Sequence, residues 1–323
     1  MNHFSTLYII INVICTAIGV STVFCNTLAA ILILKKKRHW DNSLNFILHL
    51  CIADNLAGIL ILWNVIYNMN GHMNFFECLF RSSGISSVIF TSCHVLLGLS
   101  LDRYIKIMAP FHAIRLENGK FVKFYLGILW ILFFFCLSVP SMTWIHDHIP
   151  YNECSFFGVL KKEYLLTLVT FMTFALFCQC LIYGHITFIA LSKGNLHLHP
   201  QGFTGKATAS SNRQILKTTR AVLLVCGLNF ITSVPVGIFV FLVSTRNSEE
   251  EQDHYKQGEV LMYVATPLYL NSLINPFLYA FKIPDVKRSL SRIFHWSRSR
   301  QRVEPKNTTC PTQVQMSVIE IKG

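Results

Sequence analysis

The stretch LNFILHLCIADNLAGILILWNVIY, residues 44–67, decides the fold. It exceeds the roughly 20 mainly apolar residues that a transmembrane helix needs. Yet Asp54 sits near its middle, where an ionisable side chain costs about 2.5–3.5 kcal/mol on insertion scales. Such a residue is a functional-site hypothesis by default. The bland alternative is a carboxyl that stays protonated or bonds a neighbour.

Six more windows of this kind flank it, at roughly 8–34, 79–106, 121–144, 164–191, 214–243 and 259–281. The chain is 52% hydrophobic and 14% charged, with a mean hydropathy of +0.45. Soluble domains carry about 25% charged residues. All seven windows are expected as helices, because an open sheet leaves its edges unsatisfied in lipid. The first is too long for a signal peptide and has no basic stretch before it, so it is expected as a retained helix. No internal repeat stands out, which argues against inverted-repeat transporters.

Seven spans put the termini on opposite sides, and the basic residues choose which. Twenty-two of the 28 Lys and Arg fall on the side of the C-terminal tail; Arg81, Lys161, Lys162, Arg246 and Lys256 lie opposite. The tail is therefore expected in the cytoplasm and the N-terminus outside, with the chain in the plasma membrane. The net charge of +12 is one-sided and suits an anionic inner leaflet. Its dispersal among loops argues against nucleic acid. Of eleven cysteines, Cys78 and Cys154 fall in outer segments, where disulfides persist, and are expected to pair.

The loop 192–214, SKGNLHLHPQGFTGKATASSNRQ, is expected to be mobile. After the last span, residues about 283–296 place Val286, Leu290, Ile293 and Phe294 near one face, with Pro284 in the first turn. That pattern predicts an amphipathic eighth helix on the membrane surface, closing a receptor domain over 1–296. Residues 297–323 read as a disordered tail holding Thr308, Thr309, Thr312 and Cys310; the sequon at Asn307 is expected to be silent on the inner side.

Other polar residues lie at the depth of Asp54: Asn26, Ser92, Asn271, Ser272 and Asn275. Carboxylate, hydroxyl and amide oxygens suit a hard cation such as sodium. In NSLINPFLYAF, Pro276 removes a backbone donor and kinks the helix, with Tyr279 one turn on. Pro140 and Pro235 offer further kinks. LSLDRYIKI, residues 99–107, ends the third window with Asp102, Arg103 and Tyr104.

Asn26, IADN with Asp54, Cys78, LDRY at 101–104, Trp130, Cys154, Pro235 and NPFLY at 275–279 occur in order across the spans. The chain thereby resembles a rhodopsin-like (class A) G-protein-coupled receptor over nearly its whole length. The resemblance implies an all-α membrane protein, a seven-helix bundle with an amphipathic eighth helix. It implies that Arg103 holds the closed state by pairing locally with Asp102, then meets a heterotrimeric G protein when the sixth helix swings out. Tyr104, Tyr183, Asn275, Pro276 and Tyr279 join that activation set. Asp54, Ser92, Asn271, Ser272 and Asn275 match the family's allosteric sodium pocket. Arrestin and receptor kinases are implied as further partners.

Departures from the pattern carry expectations too. The sixth helix reads Thr232-Ser233-Val234-Pro235, so the usual tryptophan is absent. Asn229 replaces an aromatic, Ala175 a fifth-helix proline, and Ile215 a glutamate that would face the arginine. Without that acid, basal signalling is expected. Ile85 stands where amine receptors have an aspartate, and Tyr269 where opsins have the retinal lysine. Arg81 above Ser82, Ile85, Ser86 and Ile89, with Phe156 and Phe157 from the outer loop and Tyr269 from the seventh helix, suggests a lipid with a polar or anionic head. The plainer reading is that Arg81 snorkels or pairs with Glu77. Similarity to the subgroup of the lipid-amide-sensing glucose-dependent insulinotropic receptor and its cannabinoid, melanocortin and adenosine neighbours implies stimulatory coupling and cAMP. Alternatives are a peptide or nucleoside ligand, the former suggested by acidic residues 249–253, or a non-signalling partner subunit. An enzyme is not expected. His146/His148 and His197/His199 lack further metal ligands, and no phosphate loop or nucleophile elbow occurs.

Overall fold

The computed structural model describes residues 6–35, 42–70, 74–109, 119–143, 154–196, 206–246 and 251–280; within these, the side chains of 141–143, 190–196, 206–223, 225, 251–255 and 277–280 are excluded. Seven long helices follow one another: α1 Thr6–Leu34, α2 Asn42–Asn70, α3 Phe75–Met108, α4 Lys120–Thr143, α5 Lys162–Leu196, α6 Lys206–Thr245 and α7 Glu251–Ala280. A single helical turn, Phe156–Val159, precedes α5. At 1.5 Å per residue, the 29 residues of α2 reach about 43 Å, more than the ~30 Å hydrocarbon core. Six of the seven are long and apolar enough to cross a membrane. In α7, Asn271, Ser272 and Asn275 dilute the apolar run.

The bundle is apolar outside and polar within. Phe24, Phe124, Ile131, Phe188 and Ile231 are all about two-thirds exposed, whereas Asn12, Asn26, Asp54, Asn229, Asn271 and Asn275 are buried. In water, so much exposed apolar surface would drive association; in a bilayer it meets hydrocarbon.

Local chemistry sets the helix ends. Asn74 caps α3, its side-chain oxygen accepting from the Phe76 N–H at 3.0 Å. Glu77 in the first turn and Lys106 in the last oppose the helix dipole. Gly119, at φ +67°, turns the chain into α4 from a conformation that glycine adopts freely. The expected loop 192–214 proves shorter. α5 continues to Leu196 and α6 starts at Lys206, because 206–214 contains no proline or glycine after Gly205 and includes several good helix formers.

The packing centre is α3, which touches α2, α4, α5 and α6. Leu50, Cys51, Val95, Leu96, Leu99 and Leu126 form one buried cluster across α2, α3 and α4. Gly98 lets these helices close up: a Cβ there would lie 2.5 Å from Phe46 and 2.6 Å from Tyr125. Gly98→Val is expected to cost about 1–3 kcal/mol by overpacking. The thermal midpoint of purified receptor checks it, with Gly127→Ala, which meets nothing within 4 Å, as the tolerated control. Across the bundle, the Trp130 indole donates to His49 Nδ1 at 2.8 Å, and Asn26 Nδ2 donates to the Ser272 carbonyl at 3.1 Å. The latter ties α1 to α7.

The expected amphipathic helix at 283–296, the tail, the His146/His148 and His197/His199 pairs and acidic residues 249 and 250 lie outside the described residues. So do the side chains of Ile215, Glu251, Asp253 and Tyr279.

Candidate functional site

Three sites stack along the bundle axis. The first lies at the end closed by the Cys78–Cys154 disulfide, which joins α3 to the segment before α5 with Cα atoms 5.8 Å apart. Beneath it is a cavity of about 140 Å³ whose lining includes Arg81, Ser82, Ile85, Ser86, Ile89, Phe156 and Tyr269. Seven of the eight expected ligand residues thus converge. Phe157 does not: it is 7% exposed and packs edge-on against Phe239, among Tyr164 and Leu165. Adjacent rings on one helical turn point in different directions, so only Phe156 can face the cavity. The sequence reading missed Tyr8, Asn68 and Glu259, which also line it. The usable signal was Asn64 and Asn68, one turn apart on one face of α2.

Arg81 is held in place by its neighbours. Its Nε donates to Glu77 Oε1 at 2.8 Å, Nη1 to Asn64 Oδ1 and Nη2 to Cys154 Sγ at 3.1 Å. Its guanidinium also lies 5.4 Å from the centre of the Tyr67 ring. The pairing with Glu77 is therefore realised, and Arg81 offers the cavity two remaining N–H groups and a neutralised charge.

The second site surrounds Asp54, which is fully buried. Asn275 Nδ2 donates to Asp54 Oδ2 at 3.0 Å, and Ser92 Oγ to Asp54 Oδ1 at 3.4 Å. With Asn271 and Ser272 they line a cavity of about 30 Å³, which is room for an ion or a water. Asn271 turns aside and donates to Asn229 Oδ1 at 3.0 Å, while Ser233 donates to that same oxygen at 3.3 Å. These bonds occupy the level of the missing tryptophan. The Oδ1 atoms of Asn271 and Asn275 are buried without partners, as is Asn26 Oδ1. Orphaned acceptor oxygens beside a carboxylate fit a hard cation or its water.

The third site, at the opposite end, departs from expectation. Asp102 does not pair with Arg103. Its Oδ2 accepts from Ser43 Oγ at 2.6 Å and meets Lys106 Nζ at 3.1 Å, and Lys106 also reaches Ser43 at 3.0 Å. The cause is helical geometry: Lys106, four residues on, shares the face of Asp102 more closely than the adjacent Arg103 does, and takes the carboxylate. Arg103 forms no ion pair among the described residues, and its Nε is buried without a partner. Tyr104 OH bonds His185 Nδ1 at 2.9 Å, and Tyr183 OH donates to Ser100 Oγ at 2.9 Å. Both bonds tie α3 to α5. Pro276 lies inside α7 beside Asn275.

A helical bundle with a disulfide-roofed cavity at one end and a charged cluster around Arg103 at the other is built to receive a ligand on one side of a membrane and a partner on the other. The chain matches the family "7 transmembrane receptor (rhodopsin family)" over residues 25–279. It belongs to that family: a multi-pass membrane receptor that couples an extracellular ligand to a G protein, and not an enzyme. Among its relatives, adenosine receptor A3 of Canis lupus familiaris is 23% identical over 86% of this chain and 88% of its own length. Adenosine receptor A2b of Gallus gallus is 24% identical over 96% and 94%. Adenosine receptor A2a of Homo sapiens is 24% identical over 92% and 74%.

Proposed function

We propose that this receptor senses an extracellular lipid, raises cAMP through a stimulatory G protein and signals without ligand. The N-terminus and disulfide end face outside, and the tail faces the cytoplasm, where arrestin and receptor kinases also act. The observation that carries the ligand class is the vestibule: one neutralised cation beside apolar Ile85, Ile89, Phe156 and Leu261. The experiment is a cAMP screen of N-acyl ethanolamides, lysophospholipids, nucleosides and peptides, with Arg81→Ala as control. A lipid response that Arg81→Ala weakens supports the reading. A nucleoside response alone would replace it with the second reading, which the 22–25% identity to adenosine receptors favours.

Basal signalling is supported by the bonding of Asp102. Lys106 and Ser43 hold the carboxylate, so among the described residues no acid restrains Arg103. Lys106→Ala frees Asp102 for Arg103 and is expected to lower basal cAMP. The regained pair is taken at about 1 kcal/mol, the upper end for ion pairs open to solvent, so the fall should reach about fivefold, measured at matched surface expression. An increase would show that the Lys106 clamp itself is the restraint.

Sodium in the Asp54 cavity is part of the proposal, with Asp54, Ser92, Asn271, Ser272 and Asn275 as its oxygen donors. Asp54→Asn removes the one carboxylate. Wild type is expected to differ in basal cAMP between sodium and choline buffers, and Asp54→Asn should abolish that difference. Equal sodium responses in both proteins would remove the ion from this site.

A further inference from the structure

A larger cavity, of about 800 Å³, lies between α5 and α6 and opens through the side of the bundle. Leu168, Met172 and Leu176 line it from α5; Gly237, Val240 and Phe241 line it from α6. Ser86, Ile89 and Phe156 contribute to it and also line the disulfide-end vestibule, so the two spaces share walls. Along α5 the lining runs from Leu165 to Cys180, about 22 Å at 1.5 Å per residue. That exceeds one leaflet's half of the ~30 Å hydrocarbon core.

The side chains explain the gap. A Cβ built on Gly237 meets nothing within 4 Å, and the neighbouring Ser233 and Val234 are small. Phe174, Phe177 and Phe230, at or beside the opening, are exposed. In a bilayer this opening faces acyl chains, and its inner end reaches Ser86, which also lines the vestibule that holds Arg81.

We propose that the groove is the chain-binding half of the ligand site. A single-chain amphiphile enters between α5 and α6 from the bilayer, leaves its hydrocarbon in the groove and places its head in the vestibule. The head carries no negative charge, which Glu259 in the vestibule lining would repel. Glu77 already neutralises Arg81, and the two spare guanidinium N–H groups suit a carbonyl acceptor. Continuity with the vestibule commits the groove to this occupant rather than to a partner helix, which would leave the inner polar end unused. The inference rests on the lipid-sensing reading.

The test uses full-length receptor in phosphatidylcholine nanodiscs and a long-chain N-acyl ethanolamide carrying a mid-chain diazirine. Saturable labelling is expected on peptides from 165–180 and 230–241. It should be displaced by the unlabelled long-chain parent but not by an N-butyryl analogue. Gly237→Phe fills open space, so it should reach the surface normally while labelling falls about tenfold; Gly237→Ala should label like wild type. A cAMP assay with the parent compound runs in parallel. Labelling confined to the vestibule, or unchanged in Gly237→Phe, overturns the groove while a cAMP response keeps the lipid reading. Neither saturable labelling nor response overturns both. Saturable groove labelling without a cAMP response keeps the groove and sinks lipid signalling.

Discussion

Arg103→Ala is expected to reduce both basal and ligand-stimulated cAMP by about tenfold or more, equivalent to at least ~1.4 kcal/mol of coupling free energy. The side chain stands at the end of α3 with its Nε buried and unpartnered, and it forms no ion pair among the described residues. A buried cationic group left unsatisfied costs more than a lost hydrogen bond. It therefore favours any state that supplies it with acceptors, and a docked G protein is such a state. Receptor number must be matched by surface labelling, because substituting a partly buried arginine also alters packing. Wild type and Arg103→Ala giving equal cAMP would identify a receptor-like partner subunit that does not signal itself.

The second large effect is on stability. Cys78→Ser opens a loop with a sequence separation of 76 residues, for which chain entropy alone implies a loss of about 4 kcal/mol. Cys78→Ser should leave most of the protein inside the cell and lower the thermal midpoint of what is purified. Cys154→Ser and the double variant should match it, since one bond is lost in all three. Arg81 adds a second consequence, because it donates to Cys154 Sγ: the vestibule loses one anchor of its cation. Cys180→Ser, at an exposed thiol, should match wild type in surface expression and thermal midpoint. A double variant clearly worse than either single one would mean that the cysteines act separately.

Much of this was legible because lipid imposes simple rules. Long apolar windows gave helices close to those observed, and buried polar residues marked the Asp54 cavity before any contact was known. The Asp102 arrangement was open to the same reasoning, since Lys106 stands four residues on and Arg103 only one. Ser43 was beyond reach: nothing in sequence sets the rotation of α2 against α3. The same holds for Phe156 and Phe157, where one ring faces ligand space and its neighbour faces the core. The extent of the helix at 206–214 follows from propensity, which the surrounding Gly and Ser residues masked. The groove depends on what is missing, an absent side chain at Gly237, and voids leave no periodic signal.

The close packing of Gly98 against Phe46 and Tyr125 has a bearing on laboratory handling. In their most apolar windows, 61% of α3 and 50% of α2 are buried, against 22% of α4, 28% of α5 and 22% of α6. Neighbouring helices cover most of α2 and α3, whereas α4, α5 and α6 meet lipid over most of their surface, and α5 and α6 also border the open groove. Detergent that strips that lipid will therefore damage the α5–α6 side first. Thermostabilising substitutions, fusion partners and antibody fragments for structure determination are best placed there, where there is unfilled volume to gain.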